Sequence, residues 1–133
     1  MDTRFLINKA IEARKKAYAP YSRHKVGAVA VASDGGLYTG CNIENCVFLG
    51  ECAERVAIYK ALSSGAKKIV KIVVVTGNKK LSPPCGICRQ VMREFNPKLE
   101  IVVANLQKEF KILTLQDLLP YSFGPDSFRL GQD

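Results

Sequence analysis

The sequence predicts an α/β fold, a three-layer α-β-α sandwich around a mixed five-stranded sheet, from three observations. Apolar residues recur at helical spacing over the first 18 residues. Two short runs of small and β-branched residues flank the tight-turn sequence Asp34-Gly35-Gly36, which is the pattern of a β-hairpin. Beyond the hairpin, apolar strand patterns alternate with helical patterns, which favours parallel strands joined by helical crossovers.

Local signals set the bounds of each predicted element. The first helix should stop before Pro20, because proline disfavours helical backbone in the residue that precedes it. Gly65 is suited to cap the second helix, and Asn96-Pro97 ends the third. Thr114, with Asp117 three residues later, predicts the N-cap of a short last helix. The predicted helices span residues 3–18, 52–63, 85 or 86 to 95, and 114–119, and the predicted strands span residues 26–32, 37–41, 69–76, 100–105 and 110–113.

Length and composition are those of one globular domain spanning residues 1–133. The chain has 133 residues, of which 47% are hydrophobic and 24% charged, so disorder is not expected. No stretch approaches the roughly 20 consecutive apolar residues of a membrane span. The first ten residues mix charged with apolar side chains and lack a secretory apolar region, so we expect a cytoplasmic protein.

The basic net charge is the feature that invites a nucleic-acid partner. Lys and Arg total 20 against 12 Asp and Glu, which gives a net charge of +8. The basic residues come in short clusters, none of which reaches the roughly five or six like charges of a basic tail. This distribution favours a solvated basic surface, and a nucleic-acid partner is not expected.

Five cysteines without a secretory segment do not suggest a disulfide framework. Cys85 and Cys88 have the C-x-x-C spacing of metal or redox sites. A redox site is less favoured, because no other redox feature surrounds this pair.

Two segments, Cys52-Ala53-Glu54-Arg55 and Pro84-Cys85-Gly86-Ile87-Cys88, lie at predicted loop-to-helix junctions. Three thiolates suit one zinc ion, and a catalytic zinc site leaves its fourth position to water. Helix N-termini also stabilise anionic sulfur. Glu54 can approach the metal without being forced to ligate it, so it is suited to move protons. Arg55 could offset the negative charge of the thiolates.

A closed four-cysteine zinc site is the main alternative from the residues alone. Cys41 or Cys46 would supply the fourth ligand, and the chain would then be a non-catalytic, zinc-stabilised interaction module. The spacing favours the catalytic site, since structural sites more often use two short cysteine pairs. Cys41 and Cys46 are then expected to be free cysteines that behave as small buried hydrophobic residues.

The two segments together resemble the zinc nucleoside and nucleobase deaminases, in which Cys-Ala-Glu is followed by Pro-Cys-x-x-Cys. Within that group the chain resembles the short, homotetrameric cytidine deaminases, and the likeness covers nearly the whole chain. The further matching segments are Ala19-Pro20-Tyr21-Ser22, Val26-Gly27-Ala28, Gly40-Cys41-Asn42-Ile43-Glu44-Asn45, Cys85-Gly86-x-Cys88-Arg89-Gln90 and Leu118-Leu119-Pro120.

The resemblance implies a zinc-dependent hydrolytic deaminase of cytidine and deoxycytidine, which forms uridine or deoxyuridine and ammonia in pyrimidine salvage. It implies the same α-β-α fold and a homotetramer. The roles that it implies are zinc ligation by Cys52, Cys85 and Cys88, proton transfer by Glu54, modulation of the zinc thiolates by Arg55, hydrogen bonds from Asn42 and Glu44 to the sugar hydroxyls, and contact of Phe123 with a neighbouring subunit's substrate.

Two positions depart from the family pattern. His24 stands where the family usually has phenylalanine against the pyrimidine ring, so weaker stacking is expected. Glu51 adds a second carboxylate next to Cys52 and predicts a more acidic site. These departures leave open a second substrate class, another pyrimidine nucleoside-like compound.

Overall fold

The computed structural model describes residues 1–128 and contains the predicted elements in the predicted order. The helices are α1 (Thr3–Arg14), α2 (Ala53–Ser63), α3 (Gly86–Phe95) and α4 (Leu115–Leu118), and the strands are β1 (Val26–Ala32), β2 (Leu37–Cys41), β3 (Ile69–Thr76), β4 (Glu100–Ala104) and β5 (Phe110–Thr114). A short 3-10 helix follows at Pro125–Ser127. Thr114 and Asp117 form the predicted capping box of α4.

The strands of residues 1–128 form a five-stranded mixed sheet in the order β2-β1-β3-β4-β5. β1 is antiparallel to both β2 and β3, β3 is parallel to β4, and β5 is antiparallel to β4. It follows that β2, β3 and β4 point the same way, so α2 and α3 are crossover helices between parallel strands. The predicted fold class is therefore confirmed.

The sheet is covered on both faces because successive strand residues point to opposite sides. On one face, Val73 and Val75 of β3 pack with the buried residues Leu6 and Ile7 of α1. On the other face, Ile72 and Val74 pack in a second cluster, to which the helices contribute Ala57, Ile58, Met92 and Leu115. Strands buried on both faces explain the nearly continuous apolar runs in the sequence.

The first helix is shorter than predicted, and the prediction that it reaches residue 18 was wrong. The helix ends at Arg14, and Tyr18 pairs instead with Ile43 as an isolated parallel bridge. The Tyr18 backbone N–H donates to the Asn42 carbonyl at 3.0 Å, and the Glu44 N–H donates to the Tyr18 carbonyl at 2.8 Å. Pairing with the segment after β2 satisfies the backbone N–H and carbonyl of Tyr18, which a longer helix would have used. The long-range contact therefore overrides the helix propensity of this segment.

Close contact between β2 and α2 brings the start of α2 against the sheet. Gly40 makes this possible, because a Cβ atom at that position would lie 2.5 Å from the Ala53 carbonyl oxygen and 2.6 Å from the Ala57 nitrogen. The starts of α2 and α3 lie near the carboxyl end of β3, since the N-caps Cys52 and Cys85 and the last β3 residue, Thr76, line one cavity. None of the helices described in residues 1–128 has the length and apolar character needed to cross a membrane.

Candidate active site

Three thiols from two helix starts meet in one cluster. Cys52 is the N-cap of α2, Cys85 is the N-cap of α3, and Cys88 lies in the first turn of α3. The Sγ atoms of Cys52 and Cys85 are 3.9 Å apart, and all three Sγ atoms lie within 4.8 Å of one another. Tetrahedral zinc with Zn–S bonds of about 2.3 Å requires S···S distances of about 3.8 Å, so these residues fit one zinc ion.

The thiols of Cys52 and Cys88 differ in their affinity for protons. A hydrogen bond from the Cys88 thiol, together with the neighbouring Arg55 guanidinium, lowers the pKa of Cys52 to about 5. The same hydrogen bond and burial raise the pKa of Cys88. Zinc binds thiolates, so the lowered pKa favours the metal-binding form of Cys52.

Arg55 contacts the cluster directly. Its Nη2 donates a hydrogen bond to Cys52 Sγ at 3.3 Å, and its Nη1 lies 3.4 Å from Glu51 Oε2. The guanidinium therefore lies next to the thiol cluster, in contact with the sulfur atom of Cys52.

Glu54 lies on the first turn of α2 and is almost fully buried, with 4% of its surface exposed. Burial raises the pKa of its carboxyl to about 7, and the negative charge of the Cys52 thiolate adds to this rise. A carboxyl with such a pKa can both hold and release a proton near neutral pH, which is what general acid–base catalysis requires.

A cavity of about 600 Å³ opens above the cluster, within the roughly 300–1,000 Å³ of small-molecule sites. Six of the sequence-predicted site residues line it: His24, Asn42, Glu44, Cys52, Glu54 and Cys85. Cys88 is fully buried, and neither it nor Arg55 is among the residues that line the cavity.

Asn42 and Glu44 both hold the segment that follows α1. Asn42 Oδ1 accepts from the Val26 N–H at 2.9 Å, and its Nδ2 donates to the His24 carbonyl at 2.7 Å. Glu44 Oε1 accepts from the backbone N–H groups of Tyr21 and Ser22 at 3.0 and 3.1 Å, and Oε2 accepts from the Ser22 hydroxyl. The hydrogen bonds that Glu44 accepts lower the pKa of its carboxyl, and the bond from the Ser22 hydroxyl is the largest cause.

His24 and Phe123 lie in different places. His24 lines the cavity, and its backbone N–H donates to Ser22 Oγ at 3.0 Å. Phe123 is 59% exposed, does not line the cavity, and packs edge-on against Phe128 with ring centroids 5.2 Å apart. The structure of one chain therefore brings His24, but not Phe123, to the cavity.

The other two cysteines do not join the thiol cluster within residues 1–128. The four-cysteine alternative is therefore not formed in this part of the chain. Cys41 is half-buried, and Cys46 is exposed. The expectation that both are buried was wrong for Cys46, because it follows Asn45 in a surface loop whose turns are capped by the Asn45 side chain.

Two contacts in the site were not predicted from the sequence. The rings of Tyr21 and Phe48 meet edge-on with centroids 5.5 Å apart, and both residues line the cavity. No local pattern signals a contact over that separation. The Glu51–Arg55 ion pair spans four residues, but Glu51 precedes the N-cap Cys52 and lies outside α2, so the spacing rule for helical ion pairs does not predict it.

Comparison with known proteins gives one consistent family. The family model "Cytidine and deoxycytidylate deaminase zinc-binding region" matches residues 1–104, a range that contains all three clustered cysteines. The cytidine deaminase of Halalkalibacterium halodurans is 46% identical over 125 residues, which cover 92% of this chain and 95% of that protein. The cytidine deaminase of Mycobacterium tuberculosis is 37% identical over 127 residues, covering 95% of this chain and 92% of that protein.

Solved structures agree with these relatives. The crystal structure of cytidine deaminase from Burkholderia pseudomallei superposes with a TM-score of 0.89 at 45% identity, covering 92% of this chain and all of that one. The fold, the zinc-binding region and the relatives together show that the chain belongs to the cytidine deaminase family. The zinc-binding family region and the three-thiol cluster also support Zn²⁺ as its metal.

Proposed function

We propose that this chain catalyses the hydrolytic deamination of cytidine and deoxycytidine to uridine and deoxyuridine, with release of ammonia, in pyrimidine salvage. The single observation that carries the proposal is the buried Glu54 carboxyl, which faces a nucleoside-sized cavity beside a three-thiol cluster. The relatives that cover most of the chain are named cytidine deaminases, which supports the same reaction.

Cys52, Cys85 and Cys88 would hold the zinc ion. When bound there, zinc supplies Lewis-acid activation of water, which makes water a nucleophile near neutral pH. Arg55 would reduce the negative charge that three thiolates place on the metal, through its 3.3 Å hydrogen bond to Cys52 Sγ.

Glu54 would move the protons of the reaction. Its carboxylate takes a proton from the attacking water and delivers it to N3 of the pyrimidine ring, which makes C4 more electrophilic. The water oxygen bonds to C4, and Glu54 then takes the second water proton from the new C4 hydroxyl and gives it to the amino group. The C4–N4 bond breaks, which releases ammonia and leaves the C4 carbonyl. The balance is cytidine and water to uridine and ammonia. A pKa of about 7 suits Glu54 to both halves of this transfer.

Asn42, Glu44 and His24 would bind the nucleoside. Asn42 and Glu44 line the cavity with their side chains already fixed by protein backbone groups, so their remaining hydrogen-bonding capacity is preorganised for sugar hydroxyls. His24 would lie against the pyrimidine ring.

Phe123 would act in a neighbouring subunit's site, as part of a homotetramer. Its exposure and its position outside its own chain's cavity support this assignment. The homotetramer, the single domain over residues 1–133, the cytoplasmic location and the absence of a nucleic-acid partner stay predictions from the sequence.

The test is turnover by the purified, zinc-loaded protein. We expect the ultraviolet absorbance of cytidine and of deoxycytidine to change as uridine and deoxyuridine form, with one ammonia released per product. Removal of zinc by a chelator should abolish the reaction, and added zinc should restore it. Free cytosine and a cytidine-containing oligonucleotide serve as comparison substrates. Zinc-loaded protein that turns over neither nucleoside would overturn the proposal and direct the search to other amino-pyrimidine nucleosides.

A further inference from the structure

We propose that Glu51 is a positioning residue of the metal centre. Its carboxylate holds the Arg55 guanidinium in the orientation from which Arg55 donates a hydrogen bond to Cys52 Sγ. The inference rests on the proposed zinc site and assigns a role to a carboxylate that the proposed mechanism leaves unused.

The contacts of Arg55 carry the first step. One terminal nitrogen, Nη1, lies 3.4 Å from Glu51 Oε2, and the other, Nη2, lies 3.3 Å from Cys52 Sγ. The side chain is only 15% exposed, and its Nε is buried without a hydrogen-bond partner among residues 1–128. Since a guanidinium is planar and rigid, fixing Nη1 also fixes the direction of Nη2. If Glu51 lost its carboxylate, the Arg55 guanidinium would keep only its contact with Cys52 Sγ among the polar contacts found in residues 1–128.

The backbone of Glu51 is itself held firmly. Glu51 and Ile43 form an antiparallel bridge in which each N–H donates to the other's carbonyl, at 2.9 and 3.0 Å. The preceding residue, Gly50, is needed for this approach, since a Cβ there would lie 2.4 Å from the Ile43 carbonyl oxygen. Glu51 is therefore fixed immediately before the metal-site residue Cys52.

An ordinary surface ion pair is the competing interpretation. The Glu51 side chain is 46% exposed, and exposed pairs contribute little to folding stability. The two interpretations differ in what a substitution changes. A surface pair has no effect on the sulfur atom, whereas a positioning residue changes the hydrogen bond that Cys52 Sγ receives.

Cobalt(II) in place of zinc gives a readout of that hydrogen bond that does not depend on turnover. A hydrogen bond stabilises the sulfur lone pairs and moves the sulfur-to-cobalt charge-transfer band to shorter wavelength. We expect Arg55→Ala to shift the band to longer wavelength, and Glu51→Ala to shift it in the same direction by a smaller amount. Glu51→Gln should shift the band less than Glu51→Ala does, because the amide oxygen keeps a partly negative atom beside Nη1. The matched control is Glu12→Ala, which removes an exposed ion pair with Lys15 on α1 and should shift nothing.

Chelator competition adds a second readout. Glu51→Ala should bind zinc about 10-fold more weakly than the unaltered protein, in the range of groups that orient metal ligands, and Glu51→Gln should restore most of the affinity. An unshifted band in Glu51→Ala or Arg55→Ala would overturn the inference, and so would equal shifts in Glu51→Ala and Glu51→Gln. Absence of any sulfur-to-cobalt band in the unaltered protein would overturn the zinc site as well.

Discussion

The Sγ atoms of Cys52 and Cys85 lie 3.9 Å apart, although 33 residues separate them in the sequence. Each residue is the N-cap of a crossover helix, α2 or α3. The two helices start at the same end of the sheet because β2, β3 and β4 point the same way. The topology therefore assembles the metal cluster, and the orphan N–H groups at both helix starts favour anionic sulfur there.

Replacement of Cys88 by alanine should remove zinc and stability together, because metal binding is coupled to folding. Cys88 is fully buried in the cluster. We expect zinc affinity to fall more than about 100-fold, beyond the usual effect of groups that merely support a ligand. The measurements are zinc content by metal analysis and thermal unfolding with and without chelator. Chelator should lower the melting temperature of the unaltered protein and leave Cys88→Ala nearly unchanged.

Cys46→Ala is the matched control for that substitution, because Cys46 is exposed and lies outside the cluster. It should keep one zinc per chain and an unchanged melting temperature. Stoichiometric zinc in Cys88→Ala would exclude Cys88 from the ligand set.

Replacement of His24 by phenylalanine should strengthen nucleoside binding. His24 lines the cavity, and a larger apolar ring gains stacking of about 0.5–1.5 kcal/mol against the pyrimidine. We therefore expect KM for cytidine to fall roughly 2- to 10-fold while kcat changes little. Steady-state kinetics at saturating zinc measure both constants. An unchanged KM, or a change confined to kcat, would contradict contact between this side chain and the base.

Replacement of Glu44 by glutamine should make stability less dependent on pH. Hydrogen bonds from Ser22 and Tyr21 lower the pKa of Glu44 from its usual 4.5. A lowered pKa in the folded state means that the ionised group stabilises the fold above pH 4.5. This contribution is lost as pH falls below 4.5 through the lower, folded-state pKa. Urea unfolding at a series of pH values should show the unaltered protein losing its advantage over Glu44→Gln in that range. A difference between the two proteins that is independent of pH would contradict this linkage.

Phe123→Ala tests whether the site is completed by a second subunit. Phe123 lies outside its own cavity, so we expect the substitution to raise KM for cytidine in the homo-oligomer. Coexpression with Glu54→Gln should restore sites of normal KM, because a Phe123→Ala subunit keeps Glu54 and its partner supplies Phe123. The control is the same two proteins purified separately and mixed without subunit exchange. If the activity of the coexpressed sample equals the summed activities of the two separately purified variants, a shared site is excluded.

The fold and the thiol cluster could be predicted from the sequence because their signals are local. Turn residues after β1, apolar strands and helix caps such as Thr114 act over a few residues, and the two cysteine segments stand next to predicted helix starts. The end of α1 was predicted wrongly because Tyr18 pairs with Ile43, which lies 25 residues further along the chain.

The long-range bonds of the cavity wall were also beyond sequence analysis. Asn42 and Glu44 bind backbone groups between residues 21 and 26, and no periodic pattern marks contacts at such separations. The Glu51–Arg55 pair is close in sequence, but Glu51 precedes the N-cap of α2, so the i,i+4 pattern of helical ion pairs does not cover it.

The most direct test of the central claim, that Glu54 moves the protons of a zinc-dependent deamination, is turnover of cytidine by Glu54→Gln with zinc measured on the same sample. Glutamine keeps the shape of the side chain and removes its capacity to exchange a proton. We expect zinc at the level of the unaltered protein and a kcat lower by roughly 10²- to 10⁴-fold, the usual contribution of general acid–base catalysis. A zinc-loaded Glu54→Gln protein with the unaltered kcat would contradict the account.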